Sequence, residues 1–223
     1  CSFSSTLYGR TITKADKKER QHGKVAMLQL QYQAGAESFR RAARLMGGVR
    51  LTEIEAQATV DVYRAKYPAI KQQWYVGQRA IPKCASGGGF YLDQRGLLFV
   101  EHNAVRLPNG MRLEYHNLRQ EEVLGFDGLP ELQWRYDCKE TRGAKKTYGG
   151  VFGVQNPTQA LAALVVMTQQ STIERALTNR GWGGVVLSVH DEVVACVEED
   201  HAEEALAFMI AEMKQPPKWG SDL

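Results

Sequence analysis

The stretch VVLSVHDEVVACV, residues 185–197, is the most informative pattern in the chain. Two apolar runs rich in β-branched residues flank three polar residues, which predicts a tight antiparallel hairpin of buried strands with His190, Asp191 and Glu192 at its tip. Adjacent carboxylates on a rigid turn can hold a divalent cation. A solvated hairpin end has the same pattern, so the stretch alone leaves a metal site and an ordinary turn as equal alternatives.

A second pattern lies near the amino terminus, in a segment predicted to be a helix over residues 17–33. Four of its residues follow one another at four-residue intervals and so form one stripe: Arg20, Lys24, Leu28 and Tyr32. Two cations, an apolar side chain and an aromatic ring suit a nucleoside triphosphate that lies along the helix. An ordinary surface helix with a basic end is the alternative.

The two patterns, in this order, resemble those of the family A DNA polymerases, in particular the bacteriophage branch. That family carries Arg-x3-Lys-x7-Tyr (motif B) on a fingers helix, matched here by Arg20, Lys24 and Tyr32. It carries His-Asp-Glu (motif C) between two palm strands, matched at residues 190–192. The ordered set is specific, whereas His-Asp-Glu alone is weak.

A third match lies between the other two. YGG at residues 148–150, followed by QNPTQAL at residues 155–161, is similar to the family's helix whose glutamine touches the primer-template. The resemblance implies that Gln155 and Gln159 bind DNA and that His190 contacts the primer end. Gln159 would donate to minor-groove acceptors, which every base pair presents, so the contact would be independent of sequence.

The resemblance implies nucleotidyl transfer from deoxynucleoside triphosphates to a primer 3′ end, assisted by two Mg²⁺ ions. Asp191 would be a direct metal ligand, and Glu192 would tune the metal environment or reach the metal through water. Arg20 and Lys24 would bind the triphosphate. Lys24 would also protonate the pyrophosphate leaving group, since a lysine can give up a proton where an arginine cannot.

Several positions depart from the family pattern, among them Leu28 and Gln33. Leu28 stands where Phe or Tyr is frequent, and this position influences discrimination between sugars. Gln33 replaces the glycine that commonly follows Tyr32, the residue that would pack beside the nascent base pair.

The resemblance also implies a catalytic centre that is incomplete within this chain. Family members carry a further carboxylate on a palm strand before motif B, whereas the acids that precede Arg20 lie in the polar run KADKKER, residues 14–20. We therefore expect a carboxy-terminal fragment of a longer polymerase, inactive in isolation, with the second carboxylate ligand outside the chain.

Two other functions stay open. One is a nucleic-acid-binding remnant that retains the polymerase fold without chemistry. The other is a metal-dependent nuclease or phosphatase built on the His-Asp-Glu hairpin, which would need further carboxylates in a matching context.

The predicted fold class is α+β, a right-hand palm and fingers, mainly helical with antiparallel hairpins. Three segments are expected: fingers helices over residues 1–83, a β-rich connection over residues 84–147, and a palm with the motif C hairpin and a terminal helix over residues 148–223.

Local signals predict several boundaries. A capping box at residues 52–55 starts a helix, and a further helix is expected over residues 70–81, ending near Pro82.

Asn109-Gly110 predicts a hairpin turn, and residues 121–131 are expected to form a loop before a short strand. Asn156 is expected to cap a long helix, and the terminal helix is expected to cover the motif C hairpin through Ala205, Phe208, Met209 and Met213.

Composition limits the remaining possibilities. The net charge of +3 is too small to indicate nucleic acid by itself, and no apolar stretch is long enough to span a membrane. The four cysteines have neither zinc-site spacing nor a disulfide pattern. We expect a monomeric protein of the cytoplasm, that of the host if viral, whose partners are primer-template DNA and deoxynucleoside triphosphates.

Overall fold

The computed structural model of the chain describes residues 2–125, 128–138 and 143–221. These form two compact units, Cys1–Pro157 and Thr158–Leu223. Both contain helices and antiparallel strands, which confirms the α+β class. The right-hand palm and fingers, and the three-segment division, stay predictions.

Five helices open the first unit: α1 (Ser2–Tyr8), α2 (Lys17–Leu30), α3 (Ala36–Gly47), α4 (Glu53–Lys66) and α5 (Pro68–Ser86). Their apolar faces enclose one core, with Phe3, Leu30, Phe39, Val60 and Tyr63 almost fully buried. Burial of such side chains stabilises the fold by about 1.5–3 kcal/mol each. The predicted capping box of α4 is confirmed, because Thr52 and Glu55 bond reciprocally through side chain and backbone.

Helix α5 is longer than its prediction. It passes through Pro82 and ends at Gly87, which adopts the left-handed conformation with φ of 84°. Proline removes the hydrogen bond to the carbonyl four residues earlier. That carbonyl belongs to Gln78, which like Pro82 is exposed, so water can satisfy it. The predicted end of the helix near Pro82 was therefore wrong.

Two antiparallel sheets follow. The first contains β1 (Phe90–Tyr91), β2 (Phe99–Glu101), β3 (Ala104–Arg106) and β4 (Arg112–Glu114) in sequential order, and the predicted Asn109-Gly110 turn joins the last two. The second contains β5 (His116–Leu124), β6 (Pro130–Asp137) and β7 (Ala144–Thr147).

The predicted loop over residues 121–131 was wrong at both ends. Glu121 pairs with Gln133, and Leu124 pairs with Pro130, so this segment forms most of a hairpin. Its charged side chains stay on the surface, where Arg119 forms ion pairs with Glu121 and, at 2.9 Å, with Asp137.

A five-residue π-helical turn (Val151–Gln155) leads directly into α6 (Asn156–Asn179). Asn156 is therefore inside a helix, with φ of −63° and ψ of −45°, and the prediction that it caps one was wrong. Its Nδ2 instead donates to the hydroxyl of buried Tyr115 at 3.0 Å. Tyr115 packs in turn on Phe152 of the π turn, with ring centroids 4.7 Å apart.

The second unit contains the remainder of α6, the hairpin β8 (Gly183–Val189) and β9 (Glu192–Val197), and α7 (Ala202–Glu212). Ile173 and Leu177 of α6 form a core with Ala205, against which Val185, Phe208, Met209 and Met213 pack. The predicted cover of the hairpin by the terminal helix is confirmed. Among the described residues, no helix has both the length and the apolarity needed to span a membrane.

The prediction that β8 and β9 are buried was wrong. Only alternate side chains of β9 are half-buried, and Val186, Leu187 and Val194 are 65%, 53% and 47% exposed. One face of the hairpin packs on α6 and α7, and a two-stranded sheet has no second layer to cover the other face.

Candidate functional site

Helix α2 presents its basic stripe to solvent. Arg20, Lys24 and Leu28 are exposed and line one open groove of ≈ 620 Å³, together with Lys17, Gln21 and Met27. In the described part of the chain, neither Arg20 nor Lys24 forms an ion pair, so both cations are available to a ligand. The groove can accommodate an elongated anion with an apolar end near Leu28.

The opposite face of α2 is buried. His22 stacks on Phe39 with ring centroids 5.9 Å apart, and burial lowers its pKa. Thr59 donates its hydroxyl to a backbone carbonyl at 2.8 Å, so its oxygen accepts from Nε2 of His22 at 3.3 Å. Nδ1 then accepts from the Tyr8 hydroxyl at 2.8 Å. A neutral histidine thus fixes which face of α2 meets solvent.

The carboxy-terminal end of α2 differs from the prediction, which placed Tyr32 within the helix. The helix ends at Leu30, and Tyr32 is half-buried in the turn that follows. Gln33, in this turn, has φ of 72°. The carbonyl of Gln31 accepts from Nε1 of Trp74 in α5 at 2.8 Å, which ties the turn to the neighbouring helix.

The turn after α2 contacts the segment that begins with YGG. The N–H of Gly150 donates to Oε1 of Gln33 at 2.8 Å. A Cβ at position 150 would lie 2.4 Å from the carbonyl oxygen of Tyr32, so only glycine fits there. The turn that carries Tyr32 and Gln33 is thus in direct contact with the YGG segment at residues 148–150.

Glycines also allow α5 to pack against the π turn. A Cβ on Gly77 would lie 2.4 Å from the carbonyl oxygen of Gly149, and one on Gly153 would lie 2.7 Å from the carbonyl oxygen of Gln73. The Gly149 N–H donates to Oε1 of Gln78 at 2.9 Å. π-helical turns are rare and occur frequently at functional sites.

The two predicted DNA-binding glutamines lie on this helical segment. Gln155 is half-buried at the last position of the π turn, and Gln159 is exposed in the first turns of α6. They are four residues apart, so on a regular helix they share a face. Their contact with DNA stays a prediction.

The hairpin tip places His190 and Asp191 in a two-residue turn, and Glu192 is the first residue of β9. Val189 pairs with Glu192, and His190 has φ of 54°. A non-glycine residue in this region is strained by about 1–2 kcal/mol, and such strain is concentrated at functional sites. Asp191 and Glu192 are exposed, and neither carboxylate bonds to another side chain in the described ranges.

The hairpin tip supplies the hard oxygen donors that Mg²⁺ prefers, with full access to solvent. Metal binding by Asp191 and Glu192 stays a prediction. Within residues 2–125, 128–138 and 143–221, no three His, Cys, Asp or Glu side chains are grouped so that they could hold a metal ion.

The acids just before motif B have a structural role. The Thr13 N–H and the Arg10 guanidinium bind Asp16 and lower its pKa to about 2. Arg10 also pairs with Glu19 at 2.8 Å. These contacts fix the conformation of the segment that leads into α2.

Sequence reasoning missed Glu174 of α6. Its carboxylate accepts from the Val185 N–H at 2.5 Å, beside the β-bulge between Val185 and Leu187, and anchors the hairpin to the helix. No local pattern signals this contact, because it links positions 11 residues apart. The role of Gln33 was also missed, although its replacement of the usual glycine was a signal.

The chain is similar to a known protein. The chain is 32% identical to a DNA polymerase of Bacillus phage SP02, in an alignment of 224 positions that covers 96% of the chain. It spans 32% of that polymerase, about a third of the relative's length. The similarity thus covers nearly all of this chain, including the α2 stripe, the π turn and the hairpin tip. No model of a known protein family matches the chain.

Proposed function

We propose that the chain is the nucleotide-binding and metal-binding part of a DNA polymerase of family A, of the bacteriophage type, with a palm and fingers fold. The similarity to a phage DNA polymerase supports the polymerase class. The observation that carries the proposal further is the groove on α2. There, two cations without ion-pair partners among the described residues precede an exposed apolar residue at helical spacing.

In the proposed complex, Arg20 and Lys24 bind the phosphates of a deoxynucleoside triphosphate. Leu28 lies beside the sugar, and Tyr32, held in its turn, meets the base pair that is being formed. Lys24 donates a proton to the departing pyrophosphate, for which the lysine amine is suited and the Arg20 guanidinium is not.

Asp191 is proposed as a direct ligand of Mg²⁺, with Glu192 as the second carboxylate of the tip. A bound Mg²⁺ would lower the pKa of the primer 3′-hydroxyl and would neutralise phosphate charge. A further carboxylate ligand comes from outside this chain. His190, held at positive φ, keeps Asp191 at the apex and contacts the primer end. Gln155 and Gln159 bind the primer-template.

The test uses the intact protein that carries this sequence, bound to a primer-template. Arg20→Ala is expected to weaken deoxynucleotide binding about tenfold to a hundredfold, because one charge-assisted contact of about 1.5–3 kcal/mol is lost. Lys24→Ala is expected to weaken binding and also to slow the chemical step in single-turnover measurements. Lys18→Ala is the matched control, since Lys18 is an exposed cation of α2 that does not line the groove.

A nucleic-acid-binding remnant without chemistry gives a different result. Arg20 and Lys24 would then contribute to duplex binding, and their loss would lower duplex affinity and make its salt dependence shallower. Unchanged nucleotide binding together with weakened duplex binding would contradict the proposed role of α2.

A further inference from the structure

A second basic surface lies on α3, outside the groove proposed for the nucleotide. The α3 arginine patch consists of Arg40, Arg41, Arg44 and Arg50, which line an open groove of ≈ 530 Å³ with Glu37 and Leu51. Nothing in the proposed chemistry uses this groove.

The patch retains most of its charge. Residues 36–50 contain four arginines and one acid, Glu37, which pairs with Arg40 at 2.9 Å. Arg41, Arg44 and Arg50 form no ion pair in the described part of the chain, and all three are exposed. Like charges held close together repel one another, so a cluster of this kind is stabilised by a bound anion.

The fold holds the arginines in place. The other face of α3 buries Phe39 and Ala43 in the core. The helix ends at Gly48, with φ of 62°, and the Val49 N–H donates to the Ala43 carbonyl at 3.0 Å. This reversal brings Arg50 to the same groove as Arg44. The patch is thus built on rigid backbone on both sides of the turn.

We propose that the α3 arginine patch binds the phosphodiester backbone of single-stranded nucleic acid. The proposal rests on the proposed polymerase function for the presence of nucleic acid. Guanidinium groups pair with phosphate through two parallel hydrogen bonds, and several of them in one groove match a chain of phosphates better than a single one.

An exposed apolar side chain beside the patch favours a single strand over a duplex. Leu45 is 76% exposed and lies four residues after Arg41, on the same side of α3. A single strand presents apolar base faces to such a side chain, whereas in a duplex these faces are stacked.

The test measures binding of a fluorescent oligothymidylate of about 16 nucleotides to the intact protein that carries this sequence, by anisotropy over a salt series. The variant Arg41→Gln/Arg44→Gln is compared with Lys71→Gln/Arg79→Gln. The control removes the same charge from exposed positions of α5 that do not line the groove.

The patch variant is expected to bind about tenfold more weakly at low salt, and the slope of log affinity against log salt should fall by about 1.4, since each single-strand phosphate contact contributes about 0.7. The control should retain wild-type values. Equal losses in both variants would overturn the proposal, because they would show a general charge effect. Displacement of the oligonucleotide by polyglutamate at equal charge would overturn it in favour of an acidic protein partner.

A further arm separates this proposal from the proposed function. Nucleotide binding at α2, measured in the intact protein, should be unaffected by Arg41→Gln/Arg44→Gln. If the Arg20→Ala variant loses nucleotide binding while the patch variant retains oligonucleotide binding, the patch proposal fails and the polymerase proposal stands.

Discussion

Gly150 donates its N–H to the Oε1 atom of Gln33 at 2.8 Å, while Gln33 itself has φ of 72°. The strained conformation of Gln33 is thus stabilised by a hydrogen bond between its own side chain and a backbone N–H that lies 117 positions further along the chain. The contact joins the turn that carries Tyr32 to the start of the π turn. A glycine at position 33 would adopt the same backbone without strain but could not make this bond.

The first prediction concerns Gln33. Gln33→Ala retains the strain and loses the hydrogen bond, and is expected to lower the free energy of unfolding by about 1–2 kcal/mol. Gln33→Gly loses the same bond but relieves the strain, so it should be about 1 kcal/mol more stable than the alanine variant. Denaturant unfolding of both variants checks the order. An alanine variant as stable as the glycine variant would contradict this account of Gln33.

A second prediction concerns Gly150, whose added Cβ would lie 2.4 Å from the Tyr32 carbonyl oxygen. Gly150→Ala is expected to destabilise the protein by about 1–3 kcal/mol, because backbone must shift to admit the methyl group. Gly88→Ala is the control, since a Cβ there has only ordinary contacts, 3.6 Å or more away. Thermal unfolding measures both. Equal destabilisation of the two variants would show that the contact at Gly150 is looser than described.

The pH dependence of stability should reflect His22. Burial lowers its pKa below the ordinary value, which the unfolded chain retains at about 6.5. Above that pH both states are neutral and the full stability is present. As the pH falls below it, the unfolded state takes up a proton that the folded state refuses, and stability declines until the folded pKa is reached. The His22→Gln variant should show a flatter decline in denaturant unfolding as the pH falls below about 6.5. Parallel curves for the two proteins would mean that His22 does not contribute.

The proposed metal ligands should differ in importance. In the intact protein, Asp191→Asn is expected to abolish nucleotide incorporation, because a direct ligand and its charge are lost. Glu192→Gln is expected to leave measurable turnover. Single-turnover kinetics with a primer-template give the comparison, and circular dichroism checks that both variants fold. Equal or reversed severity would contradict the assigned roles.

The elements that the sequence predicted well are those whose signals are local. The capping box at Thr52 and the amphipathic covering helix depend on spacing within one or two turns. The β5–β6 hairpin was underestimated because charged residues such as Arg119 and Glu121 interrupt its apolar alternation and pair across the surface instead. The continuation of α5 through Pro82 depends on access of water to one carbonyl, which no local pattern encodes.

Some residues of the candidate site also follow from local patterns, whereas others depend on distant contacts. The stripe of Arg20, Lys24 and Leu28 follows from helical periodicity, and the structure brings all three to one groove. The position of Tyr32 does not follow from helical periodicity. Helix α2 has already ended at Leu30, and Trp74 of α5 donates to the backbone carbonyl of Gln31. The order of the motifs along the chain predicted a polymerase. The contacts of Gln33 and Glu174 join separate segments, so only the folded structure reveals them.

The π turn at Val151–Gln155 has a consequence for how this protein is aligned with others. Each residue of a regular α-helix advances the side chains by about 100° around the axis. A π turn takes up one residue more than an α turn, so a relative with an unbroken α-helix here needs a single-residue gap to keep its faces in phase. Without that gap, every position from Gln155 onwards would be compared with a neighbour on the wrong side of the helix. A one-residue deletion within Val151–Gln155 would leave the hydrophobic composition almost unchanged, and it would still shift every later side chain of the helix by about 100° around the helix axis.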